Sequence, residues 1–153
     1  MGLGKSKLRD ERSVDERARI QERLTGWKQA MESKDAAAVA KCYTDDAVIF
    51  GLAPPLSTSG MNQQALQAWF DTWQGPIAYE MRDLKLIVGD ELAYCVSLTR
   101  LKGTKTSGEK NDLWFRASVC LRRIDGDWRV THEHTSVPFK MDGSLQAAVD
   151  LEP

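Results

Sequence analysis

Both histidines of the chain, His132 and His134, lie in one short stretch, THEHTSVPF, at residues 131–139. Imidazole titrates near neutral pH, so either ring is suited to act as a general base or acid on an enolisable ligand. Residues two apart on a β-strand point to the same face. Trp128 and Val130 share that face and are apolar, so we expect it to line the interior. Both rings are therefore predicted to enter a mainly apolar pocket.

The two histidines differ in their predicted roles. His134 lies nearer the strand end and is the better catalytic candidate, whereas His132 lies deeper and is expected to support it. The alternative is that one or both rings only hydrogen-bond neighbouring strands, since buried polar groups need partners. A metal site is a third interpretation, but a catalytic zinc normally has three protein ligands and Glu133 is expected to point away. We predict no metal and no other cofactor.

Arg116, in the stretch DLWFRASVCL, is the third predicted catalytic residue. Alternation places it on the same face as Trp114 and opposite Phe115. If Arg116 points inward, its guanidinium could hold a carboxylate or an enolate beside the histidines. If it points outward, it belongs to a dimer surface, and periodicity alone does not choose between the two.

Five aromatic residues are candidate ligand contacts. Tyr43, closing the second predicted helix, and Tyr94, inside a strand, could each present a hydroxyl group to a ligand. Trp69 and Trp73 are four residues apart on a predicted helix and could roof the pocket, and Trp128 shares the face of the histidines. The alternative is that these side chains simply fill the core, which is the commoner fate of such residues.

The overall composition excludes several classes of partner. The chain has 153 residues, with 21 Lys and Arg against 22 Asp and Glu, so no net field favours nucleic acid or an anionic membrane. Its three cysteines are far apart and form no CxxC motif, which argues against disulfides and a zinc cluster. The N-terminus lacks the apolar segment of a signal peptide, and a cytoplasmic location is expected.

Three helices are predicted in the first half of the chain. Ser13 and Glu16 match a capping box, and the apolar residues that follow recur at helical spacing over 14–33. Asp35 can cap a second helix through AAAVAKCY, and Asn62 a third through QQALQAWFDTW, which a Gly-Pro pair then stops.

In the second half of the chain, apolar and polar residues alternate as they do in β-strands. Between the second and third predicted helices, a short strand, DDAVIF, precedes a loop, GLAPPLSTSG, that is predicted to be irregular. The later strands are predicted over 77–88, 92–102, 111–124 and 128–137. Asp125-Gly126 predicts a tight hairpin between the last two. The pattern indicates a single α+β domain with helices on one face of a curved, mostly antiparallel sheet. We expect a flexible segment at 1–12, a domain at 13–140 and a tail at 141–153.

The order of elements, with YTDDAVIF and the ending DGDWRVTHEHTSVPF, resembles the SnoaL-like and ketosteroid-isomerase-like members of the nuclear-transport-factor superfamily. This resemblance implies a cone with a deep apolar pocket, and often a homodimer built on the outer sheet face, here through residues such as Trp114 or Phe115. It also favours an inward Arg116, because many SnoaL-like sequences carry an arginine at this place.

The resemblance does not imply one reaction. The carboxylate base of ketosteroid isomerases would align with Gly51, and their catalytic tyrosine with Trp27, so two of their three catalytic groups are missing. We expect an isomerase or cyclase that moves a proton on an apolar, ketone-like substrate, with the histidines replacing the missing base. The alternative is a non-catalytic ligand-binding or assembly module of the same fold.

Overall fold

The structure, a computed structural model, describes residues 3–153. Its first helix, α1, spans Leu3–Glu32 and so begins well before the predicted capping box. The capping-box start was wrong because the preceding segment, LGKSKLRDER, is rich in good helix formers and lacks proline. Met1 and Gly2, in the segment predicted to be flexible, lie outside the described residues, and the predicted domain division stays a prediction. Over the described residues, no helix combines the length and apolarity needed to cross a bilayer.

Two short helices follow, and their caps are those predicted. Helix α2 spans Ala36–Lys41 and α3 spans Gln63–Phe70. The side chains of Asp35 and Asn62 each accept a backbone N–H three residues on, both at 3.0 Å. Both helices end earlier than predicted, which places Tyr43 and Trp73 at the starts of strands.

Within residues 3–153, six strands form one sheet in the order β2-β1-β6-β5-β4-β3. They are β1 (Tyr43–Phe50), β2 (Thr58–Ser59), β3 (Trp73–Val88), β4 (Leu92–Lys105), β5 (Lys110–Ile124) and β6 (Asp127–Ser136). Only the β1–β6 pair is parallel. The predicted hairpin is confirmed, since Asp125 and Gly126 both have positive φ and join β5 to β6. The pair β1–β2 was not expected, because β2 lies inside the predicted irregular loop.

The long helix closes the concave side of the sheet. Helix α1 contacts both the edge strand β3 and the inner strand β6, which a sheet allows only if it curls around the helix. Arg23 anchors this contact by donating from Nε to the Trp128 carbonyl at 2.8 Å. The Trp128 indole is 1% exposed and donates to the Glu16 carboxylate. The α+β architecture with a curved, mostly antiparallel sheet is as predicted.

Candidate active-site cavity

A cavity of about 350 Å³ lies between α1 and the concave face of the sheet. Its wall is mostly aliphatic and aromatic, and its lining residues come from α1, α3, the loop after β1 and five strands. Glu133 is the only charged residue among the described residues of this wall. The remaining polar lining consists of hydroxyl groups and one thiol, on Tyr43, Tyr79, Ser97, Thr99, Thr135 and Cys95.

Glu133 enters the cavity because β6 contains a β-bulge at Thr131. On the turn side of the bulge, Val130 pairs with Leu121, but on the other side His132 pairs with Cys120. A step of two residues along β6 therefore corresponds to a step of one residue along β5, and Thr131 is the extra residue. Such a bulge reverses which face the later side chains occupy. Glu133 consequently shares the inner face with Val130.

The histidines lie on the opposite, outer face, so the prediction that their rings enter the pocket was wrong. The reason is the bulge, which breaks the alternation that Trp128 and Val130 begin. Neither His132 nor His134 is part of the cavity wall, and His134 is exposed. His132 Nδ1 lies 2.7 Å from the Val48 carbonyl oxygen on the neighbouring strand.

The two histidine rings are held beside Phe50 rather than beside other potential metal ligands. The Phe50 ring meets those of His132 and His134 edge-on, with centroids 5.2 and 5.4 Å away. Across the described part of the chain, no three His, Cys, Asp or Glu side chains are grouped for a shared metal ion.

A hydrogen-bond relay from α1 holds the Glu133 carboxylate. The Trp27 indole N–H donates to Tyr43 Oη at 3.0 Å, and the Tyr43 hydroxyl lies 3.2 Å from both Glu133 carboxylate oxygens. Tyr43 is 3% exposed, and burial raises its pKa well above the ordinary value, so it remains a neutral donor. The relay therefore orients the carboxylate without neutralising it.

Burial raises the pKa of Glu133 to about 7, against the opposing effect of the Tyr43 hydrogen bond. Glu133 lines the apolar cavity, and the described wall offers no cation to stabilise the charged form. A carboxyl group with a pKa near the working pH can both accept and return a proton, as a general base must.

Tyr79, Ser97 and Thr99 also supply hydroxyl groups to the cavity, and Cys95 supplies a thiol. Tyr79 Oη makes no hydrogen bond to another described residue, and burial raises the pKa of this phenol, so it stays protonated. Ser97 Oγ and Thr99 Oγ1 lie 3.3 Å apart and share one hydrogen bond, which leaves a second hydroxyl hydrogen free. The Cys95 thiol stays protonated at neutral pH, because burial raises its pKa to about 11.

Arg116 lies on the outer face, and the inward placement favoured by the resemblance was wrong. Its neighbours Phe115 and Ala117 both line the cavity, so strand alternation turns Arg116 away from it. Its Nε donates to Ser136 Oγ at 3.1 Å, on the outer face of β6. Phe115, which had been expected on a dimer surface, is 8% exposed within the wall.

Of the five aromatic candidates, the structure places Tyr43 and Trp69 in the cavity wall. Trp73 lies behind Trp69, with ring centroids 5.4 Å apart, and packs against Lys105 instead. Tyr94 is on the outer face and half-exposed, and Trp128 is buried outside the wall. Trp73 is not part of the wall because α3 ends at Phe70, so Trp69 and Trp73 do not lie one turn apart on the same helix as predicted.

The prediction from sequence missed Glu133, Tyr79 and Trp27 as cavity residues. One signal could have found Glu133. Val137, the next apolar residue of this segment, packs against the core. It lies an even number of residues from Glu133 but an odd number from Val130, so in a regular strand it would face the same side as Glu133 and not the side of Val130. Two apolar residues of one extended segment that both face the core but lie an odd number of positions apart indicate an inserted residue, which is what a bulge provides.

Residues 20–140 match the sequence profile of the SnoaL-like domain. An NTF2-like protein of unknown function from Pseudomonas putida KT2440 has a similar structure, with 28% identity, a TM-score of 0.81, and coverage of 92% of this chain and 98% of that chain. No curated protein sequence matches the chain.

Two further solved structures are similar in fold. A ketosteroid isomerase-like protein from Erwinia carotovora atroseptica SCRI1043 shows 24% identity and a TM-score of 0.65, over 78% of this chain and 93% of that chain. The LinA-type3 hexachlorocyclohexane dehydrochlorinase from Novosphingobium barchaimii LL02 shows 15% identity and a TM-score of 0.71, over 83% and 89%. At these identities the likeness concerns the fold alone.

Proposed function

Since the chain belongs to the SnoaL-like domain family, we propose that it is an enzyme that moves a proton on an apolar, ketone-like small molecule, with Glu133 as the general base. The reaction is of the isomerase or cyclase type. The observation that carries the proposal is a carboxyl group with a pKa of about 7 that is the one charged side chain among the described residues of the cavity wall. Carboxyl groups whose pKa is shifted toward neutrality are found more often in catalytic sites than in purely structural positions.

The proposed step begins with the ionised carboxylate. Glu133 takes a proton from the carbon next to the ligand carbonyl, and the C–H electron pair moves into the enolate. Tyr79 Oη, which has no partner among the described residues, donates a hydrogen bond to the developing oxyanion. Glu133 then returns the proton to a different carbon, which completes an isomerisation, or the enolate attacks a second carbonyl carbon, which closes a ring.

The assignment of Glu133 as the base also explains how the protein works without a carboxylate at the position where ketosteroid isomerases carry theirs. Gly51, at the position where ketosteroid isomerases carry their carboxylate, lines the same cavity as Glu133. In this proposal the carboxylate is thus supplied from β6 instead of from the residue that follows β1. Trp27, at the position of the isomerase tyrosine, donates to the relay that holds Glu133.

Exchange of substrate protons for deuterium tests the proposal directly. Bicyclic ketones such as 2-tetralone are incubated with the protein in D₂O, and loss of the α-proton signal is followed by NMR. The exchange rate is expected to rise with pH and level off above an apparent pKa of about 7, since the base acts when ionised. No exchange above buffer for any ketone of a panel would contradict the proposal and favour a non-catalytic binding or assembly module.

Tyr43→Phe is expected to move the pH profile of exchange to higher pH. The substitution removes the hydroxyl that donates to Glu133, and that hydrogen bond holds the pKa of the carboxyl below the value burial alone would give. The measurement is the midpoint of the rate against pH. Tyr79→Phe is the matched control, because it also removes a cavity hydroxyl: it should lower the rate but leave the midpoint in place. Equal midpoints in Tyr43→Phe and the parent would contradict the relay.

We also propose a homodimer built on the outer face of the sheet. This face carries exposed apolar side chains, Ile87 and Tyr94, beside groups of both charge signs. Trp114 lies there under Arg82, with the guanidinium 5.0 Å from the ring centroid. A surface with both charge signs and apolar patches can pair with its own copy across a two-fold axis.

Light scattering at micromolar concentration tests the dimer. The expected mass is twice the 17.2 kDa of the chain, and Tyr94→Glu should shift the protein toward the monomer. Tyr94→Phe is the control, since it keeps the apolar ring and should preserve the dimer. A mass of one chain for the parent protein would contradict the proposal.

A further inference from the structure

We propose that the segment that follows β6, residues 138–153, docks on the outer sheet face of a second copy of the chain. There its acidic and apolar side chains meet a surface that is basic and apolar. This inference rests on the proposed homodimer and names the segment that joins its two copies. It depends on the charge of the face, the chemistry of the segment and the place where the segment leaves the sheet.

The outer face carries an excess of positive charge on three of its strands. Strand register and alternation place seven cations on the outer side of β3, β4 and β5: Arg82, Lys85, Arg100, Lys102, Lys110, Arg116 and Arg122. The acids of the same strands on this side are Glu80 and Asp112, with Asp83 in the bulge of β3. Two such faces brought together set cations against cations, which weakens an interface. A homodimer on this face is therefore stabilised by acidic groups supplied from another part of the chain.

Apolar side chains lie between these cations. Leu98 is half-buried and lies between Arg82 and Arg116 in one row across the strands. Val96, also half-buried, lies beside Lys85 in the next row. Burial of apolar groups is the main driving force of association, whereas charges select the partner and its orientation. A partner that fits this surface therefore presents apolar groups flanked by acids.

Three apolar residues of the segment after β6 are largely exposed. Met141 is 98% exposed, Leu145 72% and Phe139 63%, so the chain's own body leaves these side chains uncovered. The Ala148 N–H donates to the Pro138 carbonyl at 2.8 Å and closes the first part of the segment into a small loop. Apolar groups that a chain exposes together are a feature of binding surfaces. The loop thus presents an apolar surface that a second copy can cover.

The same segment is acidic. Asp142, Asp150 and Glu152 each directly follow an apolar residue, and Lys140 is the single cation within residues 138–153. All three acids are exposed, and none forms an ion pair with another of the described residues. The segment is therefore complementary to the outer face both in charge and in apolarity.

The segment leaves the sheet at the edge of the basic surface. Ser136, where β6 ends, lies opposite Arg116 and accepts a hydrogen bond from its Nε at 3.1 Å. Neighbouring strands are about 4.8 Å apart, so the surface from β3 to β5 is about 10 Å wide. Five extended residues span roughly 17 Å, which is enough to cross this width. Around a two-fold axis each segment covers the face of the other copy, so both contacts form together.

Charge reversal on each side of the contact tests the inference. One double variant, Asp150→Lys with Glu152→Lys, reverses the segment, and another, Lys85→Glu with Arg116→Glu, reverses the face. All four side chains are exposed and lie outside the cavity wall, so the fold should be kept. Each double variant sets like charges against each other. Its dimer dissociation constant, measured by analytical ultracentrifugation, is expected to rise at least about 10-fold.

Mixing the two double variants distinguishes a contact between copies from a contact within one chain. In the mixed dimer the basic segment of one copy meets the acidic face of the other, and the second contact keeps its original charges. An equal mixture should therefore form a heterodimer with a dissociation constant near that of the parent homodimer. A segment that docked on the face of its own chain would not be rescued by mixing.

Asp15→Lys with Glu22→Lys is the matched control. It changes the net charge by the same amount as the segment variant, but at exposed positions of α1, which packs on the concave side of the sheet. This variant should dimerise as the parent does. A double variant that dimerises as tightly as a dimeric parent, or a mixture that does not recover, would overturn the inference and leave the homodimer in place. A monomeric parent would contradict both.

Discussion

Glu133→Gln is expected to lower the rate of α-proton exchange by about 10²- to 10⁴-fold, the usual contribution of a positioned general base. The amide has nearly the same size and can still hydrogen-bond Tyr43 Oη, so the cavity should keep its shape. It cannot accept a substrate proton at neutral pH. The measurement is the deuterium exchange rate at saturating ketone, together with ketone affinity, which should change little.

Glu133→Asp and Glu91→Gln are matched controls for this loss. Aspartate keeps the carboxyl group but withdraws it by one methylene, so part of the rate should return. Glu91→Gln removes an exposed carboxylate that is not part of the cavity wall and should exchange at the parental rate. If Glu133→Gln exchanged as fast as the parent, Glu133 would not be the base, and the role would pass to another residue.

The same carboxyl group should make the stability of the fold depend on pH. Burial raises the pKa of Glu133 from 4.5 to about 7, so between these values the unfolded chain is ionised while the folded chain keeps its proton. The folded state then binds more protons than the unfolded state, and the free energy of unfolding falls as pH rises. The stabilisation is fully present below about pH 4.5 and lost as pH passes about 7, by roughly 3 kcal/mol at 1.36 kcal/mol per pKa unit.

Urea unfolding of the parent and of Glu133→Gln at several pH values between about 4.5 and 8 measures this effect. The glutamine variant does not titrate at this site, so the difference in unfolding free energy between the two proteins should shift in favour of the variant as pH rises. Because other ionisable groups are common to both proteins, their contributions cancel in the difference. A difference that stays constant across this range would show that Glu133 titrates as an ordinary exposed acid.

Several features were predictable from sequence because they depend on local chemistry. Asp35 and Asn62 cap their helices, since a short side-chain acceptor before a helix satisfies a free backbone N–H. Asp125-Gly126 makes the last hairpin because those residues tolerate positive φ. The run of alternating strands after three helices was enough for the fold class, and the motif around His132 was enough for the family.

Helix and strand ends were less predictable. The apolar spacing of Trp69 and Trp73 suits one helix, yet α3 stops at Phe70 and Trp73 begins β3. Pairing with β4 decides this, because Trp73 lies opposite Lys105 in the sheet. A local pattern cannot reveal a partner that lies about thirty residues further along the chain.

Thus the sequence by itself determined the class of fold, the family, and an apolar pocket with aromatic walls at residues such as Tyr43 and Trp69. Only the tertiary structure decided which titratable side chain enters the cavity. Alternation is a local rule, and one residue, Thr131, breaks it where β6 must pair with both β5 and β1. That single extra residue turns His132 and His134 outward and Glu133 inward, where burial rather than residue type sets its pKa near neutrality.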